Sequence, residues 1–248
     1  MKERILQKIE SHKELLFETI IKDSFELFKK VFAYGILKVV MEGALIYGFQ
    51  FIFMLPSFAL LGLGENENFD ITAGILMVLM YFAGIFLYIF VLFFLNVGFY
   101  RVCFQQEFGL NINIDVFFYA LRKKYWVKTL VLSLLTSLSL IVAFLFLVLP
   151  VFYMMIPISF VAVVYAFNID LSIRDIFSIA FKLGNKYWLV LFLSSIVAVF
   201  MSMLGIFACF IGIMATQSFI YMPFYTAYSK VVGFDSEIAS EIDMIGKN

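Results

Sequence analysis

Charge is what this sequence has least of. Asp, Glu, Lys and Arg make up 15% of its 248 residues, against about 25% in soluble domains. Four stretches hold none at all: Gly43–Gly64, Ile71–Tyr100, Thr129–Ile169 and Tyr187–Ser229. Histidine occurs once and cysteine twice, too few for a zinc site or a disulfide framework. His12 reads as a polar position on an exposed helix. HExxH, the Gly-x-Ser-x-Gly elbow, the phosphate loop and the Rossmann glycines are all missing. No pair of aspartates lies within an apolar run, so intramembrane proteolysis has no catalytic dyad either. An enzyme reading has nothing to build on, and no catalytic residue, cofactor or metal is expected. The basic residues are mixed with an equal number of carboxylates and form no tract, which excludes nucleic acid as a partner.

What is abundant is apolar surface. Hydrophobic residues make up 64% of the chain, and the mean hydropathy is +1.01. Such a chain cannot hide its apolar surface in water, so the lipid bilayer must be part of its solvent. Backbone groups in hydrocarbon must bond internally, which leaves helices or closed barrels. The runs are long and apolar on every face, so helices win. A span needs about 20 residues at about 1.5 Å each. The first two uncharged stretches hold one span apiece and the last two hold two apiece. The expected fold is all-α and polytopic, with six transmembrane helices in three hairpins, at about 36–97, 125–168 and 187–231.

Residues 1–32 form a segment of their own before the membrane domain of 33–233, and a polar tail covers 234–248. Within 3–32, Leu16, Phe17, Ile20, Ile21, Phe28 and Phe32 share one helical face. Glu18–Lys22 and Glu26–Lys30 are i,i+4 pairs in the favourable order on the other. This amphipathic helix either lies in the membrane interface or docks on the protein's own spans. The N-terminus is too charged for a cleavable signal, so the first span is expected to stay as a signal-anchor.

An amphipathic stretch is expected before each hairpin. Asp23-Ser24-Phe25, Asp115-Val116-Phe117 and Asp175-Ile176-Phe177 open the three, each Asp reading as an N-cap. The later two continue to Tyr125-Trp126 and Tyr187-Trp188, with Ser133 and Ser195 seven residues after each Trp. Either triplication or convergence on the same interfacial physics produces such a pattern. This organisation resembles the YciC-like bacterial six-span membrane proteins and the membrane domain associated with glycerophosphodiester phosphodiesterases. The resemblance implies an inner-membrane protein without an assigned reaction, and it carries over no catalytic residues. Six spans leave no room for a phosphodiesterase barrel.

Charged residues inside a span are the best functional pointers, and only Lys38 and Glu42 qualify. They sit four apart and can pair. If hydrocarbon begins near residue 40, both lie among the headgroups and Lys38 snorkels. This interfacial reading is the simpler one. Gln50, Asn96 and Gln217 are large amides within spans, costly in lipid unless bonded. They serve either as interhelical hydrogen-bonding groups or as liners of a polar pathway. Pro56, Pro157 and Pro223 fall inside spans 1, 4 and 6 and can kink them. Cys103 and Cys209 are expected at opposite membrane faces as free thiols.

The expected role is a non-enzymatic membrane scaffold or accessory subunit, with the lipid bilayer and a protein at the cytoplasmic face as partners. The alternative is a permease or lipid-handling protein with a cavity between hairpins. Every Lys and Arg falls before span 1, between spans 2 and 3, between spans 4 and 5, or after span 6. Such residues concentrate in cytoplasmic loops, so both termini are expected in the cytoplasm of a bacterial inner membrane. A reporter active only outside the cytoplasm should stay silent after Asn248 and become active at Asn66. The reverse pattern ends the six-span topology.

Overall fold

The computed structural model describes residues 1–12, 14–62, 71–145, 148–208 and 211–234. Among these residues every regular element is helical and no strand occurs. A short helix α1 (Lys2–Ser11) precedes two long ones, α2 (Phe17–Gly62) and α3 (Ile71–Glu107). A 3-10 turn at Ile114–Leu121 leads to α4 (Trp126–Leu145) and α5 (Val148–Phe167). Then follow α6 (Ile173–Lys186), α7 (Trp188–Met203), α8 (Ile211–Thr216) and α9 (Met222–Val231). Five segments are long and apolar enough to cross a membrane: Phe17–Ile52, Gly74–Glu107, Trp126–Leu145, Pro150–Phe167 and Trp188–Ile206. That is the make-up of a multi-pass membrane protein.

The sixth expected span, about 211–231, is not one helix. It comprises α8, a 3-10 turn at Gln217–Tyr221, and α9. Pro223 explains the break. It has no N–H to give the carbonyl of Phe219, four residues earlier. The N–H of Met222 reaches that carbonyl instead, which is the tighter 3-10 pattern. Pro157 sits inside α5 and leaves the carbonyl of Tyr153 in the same position. Here the remedy comes from another helix, for the Trp188 indole N–H donates to that oxygen at 3.1 Å.

The N-terminal segment also differs from the expected single helix over 3–32. It is broken between Ser11 and Phe17, and α2 then runs unbroken from the charged region into the first span. α1 docks on α6, burying Ile5 and Ile9. Ion pairs Lys2–Asp175, at 2.7 Å, and Lys182–Glu10 hold it there. Lys182 holds the Glu10 carboxyl below its ordinary range, and Lys2, aided by Ser172, does the same for Asp175. Lys186 covers the end of α1, donating to the carbonyls of Ile9, Glu10 and His12 at 2.5, 3.0 and 2.6 Å.

The three aspartates are not N-caps. Asn113 caps the 3-10 turn and Ser172 caps α6, each accepting from the backbone N–H of the following aspartate, Asp115 or Asp175. Asp23 lies within α2, where it pairs with Lys230 at 2.5 Å. Trp126 and Trp188 do open their helices as expected. Ser133 and Ser195 bond back to Leu130 and Leu191 of their own helices.

Gly98 and Gly184 are among the glycines that set how closely elements approach. A Cβ on Gly98 would lie 2.4 Å from Phe117 Cα, where the 3-10 turn crosses α3. A Cβ on Gly184 would lie 2.5 Å from Pro157 Cα, where α6 crosses α5. Backbone atoms cannot yield as a side-chain tip can. Gly98→Ala and Gly184→Ala should each cost about 1–3 kcal/mol, the usual range for overpacking. Gly84→Ala meets nothing within 4 Å and should be neutral. Denaturation midpoints in detergent test this, and equal midpoints for all three would contradict the packing.

Candidate functional site

α2 buries one stripe along its length. Ile20, Ser24, Leu27, Val31, Lys38 and Glu42 recur at helical spacing and are all buried. The stripe faces α3 and α9. α9 is enclosed, with every residue from Met222 to Tyr228 buried. The polar members of the stripe each meet a partner. The Ser24 and Thr226 hydroxyls lie 3.2 Å apart.

Lys38 donates to Glu42 Oε1 at 2.6 Å, and their side chains are 0% and 6% exposed. The ammonium also lies 4.0 Å from the centre of the Tyr221 ring and 5.7 Å from that of Phe99. Both contacts fall within cation–π range. The pair forms as the spacing allows, and the ammonium is enclosed by protein. It sits about 22 Å along α2 from Asp23, at about 1.5 Å per residue.

The charged end of the same stripe opens into a cleft of about 270 Å³ between α2, α3 and α9. Glu26 and Lys30 line one wall, Glu107 another, and Ser229 and Lys230 the third. Across it, Lys230 closes on Asp23 and the Tyr225 hydroxyl donates to Glu107 Oε2 at 2.5 Å. Gly233, at φ +66°, turns the chain after α9 so that Phe234 folds back. Phe234 then packs against Phe104, Phe167, Tyr225 and Tyr228. Among the described residues no group of His, Cys, Asp and Glu could hold a metal ion.

Arg101 escaped the sequence reading, which ended the second span before it. α3 instead continues to Glu107, and Arg101 is 2% exposed. Its Nε donates to Ala166 O at 2.7 Å, and its guanidinium lies 3.7 Å from the centre of the Tyr119 ring. Lys128 donates to the carbonyls of Ile169 and Leu171 just beyond the same helix end. Cations here complement the negative end of α5. The signal in the sequence was a basic residue one turn past an apolar run, a position that serves as well for a cap as for a loop.

The three amides are dispersed. Gln50 is exposed and lines a small crevice with Phe49, Gly84 and Tyr88. Neither Asn96 nor Gln217 lines that crevice, and both are half-buried. Asn96 Oδ1 and Ser218 Oγ are buried without a hydrogen-bond partner. Cys103 is buried and free, while Cys209 lies outside the described residues. No protein-family model, no curated protein and no solved structure matches this chain.

Removing one partner of a buried ion pair leaves the other charge stranded, at a cost of about 3–5 kcal/mol. Lys38→Met should therefore lower the unfolding midpoint in mixed micelles sharply. Lys38→Met with Glu42→Leu should recover most of the loss. A harmless single variant would show that water reaches the pair, and a double variant as damaged as the single would show that the loss is not that of a stranded charge.

Proposed function

We propose that the chain is a multi-pass scaffold or accessory subunit of a bacterial inner membrane, without enzymatic activity. In this reading both termini lie in the cytoplasm. Residues 211–231 make the sixth crossing, since about 32 Å at about 1.5 Å per residue suffices despite the 3-10 turn. Spans then pair as three hairpins, and the elements before each hairpin lie at the cytoplasmic face.

The observation that carries the reading is the exposure of α3. Its most apolar window is 6% buried, whereas that of α5 is 61% buried. The exposed face shared with α2 is not purely a lipid-facing surface. It includes the amide of Gln50, with Gly48 and Gly84, each of which has open space where a Cβ would stand. An amide in hydrocarbon is costly without a partner. Small residues allow a second helix to approach, and a polar group on that helix can bond the amide. A transmembrane helix of a partner subunit would answer both needs. The alternative, a permease or lipid-handling protein, draws support from Asn96 Oδ1 and Ser218 Oγ, buried polar atoms without a hydrogen-bond partner.

Photocrosslinkers placed at Tyr88 and at Leu193 in native membranes separate these readings. Tyr88 lines the Gln50 crevice, and Leu193 is exposed on α7. A scaffold should yield one discrete protein adduct from position 88 and lipid adducts from 193. Gln50→Leu should weaken the protein adduct about threefold or more, since interhelical bonds average about 0.6 kcal/mol. Lipid adducts alone at both positions would remove the scaffold reading.

A further inference from the structure

We propose that the 3-10 turn at Gln217–Tyr221 is a hinge, and that α8 swings on it to let water reach the buried Lys38–Glu42 pair. Three elements meet around that pair. On α2, Gly35 precedes Lys38 by about one turn. On α3, Asn96 stands three and four residues before Phe99 and Tyr100, whose rings both touch Tyr221, so it shares the face that meets the turn. Within the turn, Ser218 and Tyr221 are three residues apart and so lie on one face. The Ser218 hydroxyl occupies the place where a side chain on Gly35 would stand. The Tyr221 ring holds the ammonium of Lys38.

Two of these polar groups are not served. Ser218 is wholly buried, and neither its Oγ nor Asn96 Oδ1 has a hydrogen-bond partner among the described residues. Each loses its hydration in this packing without gaining a bond, which destabilises the packing. The hydroxyl is pressed against the α2 backbone at Gly35, so it is hydrated only when the turn and α2 part. The chain on either side of the turn is tied firmly, to different neighbours. Before it, α8 is stitched to the end of α7. Ser202 Oγ donates to Thr216 O at 3.1 Å, and Thr216 Oγ1 donates to Ser202 O at 2.6 Å. A Cβ on Gly205 would collide with Gly212. After it, α9 is fixed through Thr226 to Ser24, Lys230 to Asp23, Tyr225 to Glu107 and Tyr228 to Asn168.

The turn between these two tied bodies has looser attachments. Among the described residues none of its side chains makes a hydrogen bond, and its contacts are aromatic. Phe219 meets Phe25 and Phe28, and Tyr221 meets Phe99 and Tyr100. Pro223 has already removed one backbone bond here. A 3-10 stretch in the middle of a helical segment often marks a hinge. What the hinge uncovers follows from register. Ser24 meets Thr226 and Gly35 meets Ser218, so 211–231 runs antiparallel to α2 and α8 lies over Lys38 and Glu42. When α8 swings away, water solvates both charges together with Ser218 and Asn96. The two unpaired atoms lower the cost of leaving the closed position. All of these groups belong to one chain, so the hinge is independent of the scaffold reading.

Thiol labelling of the purified full chain in mild detergent tests the hinge. Ser218→Cys is combined with Cys209→Ala, which keeps the native Cys103 on α3 as a buried reference in the same molecule. The probe is a charged thiosulfonate, which does not enter apolar surroundings. Each rate is taken relative to that of the chain unfolded in sodium dodecyl sulfate. Position 218 should label about tenfold faster than Cys103, the scale set by one unpaired buried group. Global unfolding exposes both thiols together, so it cannot produce that difference. Adding Asn96→Leu removes an unpaired atom from the closed position and should slow labelling at 218 about threefold. Hydrogen exchange tests the same motion without a new thiol, and Ser218→Ala should slow amide exchange across 217–221. Equal labelling of the two positions overturns the proposal. So does failure of both Asn96→Leu and Ser218→Ala to slow the opening.

Discussion

In hydrocarbon a backbone carbonyl that loses its helical partner has no water to turn to, and much of this fold is arranged to meet that demand. Pro157 frees the carbonyl of Tyr153, and Trp188 from α7 supplies the missing donor. Pro223 frees the carbonyl of Phe219, and the chain tightens into a 3-10 turn so that Met222 can serve it. At the end of α5 the donors are Arg101 and Lys128, and at the end of α1 the donor is Lys186. Each remedy ties one helix to another or sets a helix boundary. Backbone accounting thus settles where helices break and which of them touch.

The same constraint governs the charged side chains. Lys38 and Glu42 could not sit in the buried stripe of α2 as separate ions, because neither could be solvated there. Their four-residue spacing lets each satisfy the other on one helix, and the Tyr221 and Phe99 rings add attraction for the ammonium. A pair of this kind adds little stability compared with apolar residues of the same shape. What it does is fix register, since sliding α2 against the 3-10 turn at Gln217–Tyr221 would take the ammonium off the Tyr221 ring. Farther down the stripe the Ser24–Thr226 contact and the Asp23–Lys230 pair hold α2 against α9, which follows that turn.

Much of this was legible in the sequence, and what was not has physical reasons. Charge-free stretches of 20 or more residues announce helices because no other open structure satisfies the backbone in lipid. Five of the helices follow from that alone. The Lys38–Glu42 pair was visible from spacing, but its burial depends on Phe99 and Tyr221, which come from distant segments. The aspartates of the apparent repeat looked like caps because Asp is a good cap. Asn113 and Ser172, just upstream, do that work instead, and the aspartates contribute the N–H that is capped. The first hairpin was expected to end near residue 97, next to Gly98. Its lack of a side chain is used instead to admit Phe117, and α3 passes straight through. The cleft could not be read at all, because Glu26, Glu107 and Ser229 meet only after three helices pack. Of the three amides, sequence spacing gave no means to tell that Gln50 faces outward while Asn96 and Gln217 are half-buried.

The packing also divides the molecule along its length. Toward the charged end α9 is enclosed, aromatic rings close around Phe234, and cations cover helix ends. Away from it, α3 and the adjoining part of α2 present large apolar side chains outward, among them Tyr47, Phe51, Leu79 and Phe82. Ion pairs and fixed backbone contacts make the first region stiff. The second is held mainly by apolar contact between two helices, in a solvent as apolar as the side chains themselves, so lipid gives little force to close it. A region so arranged leaves one face of each helix uncovered by the rest of the described chain. The polar cleft sits in the rigid half and the Gln50 face in the open half.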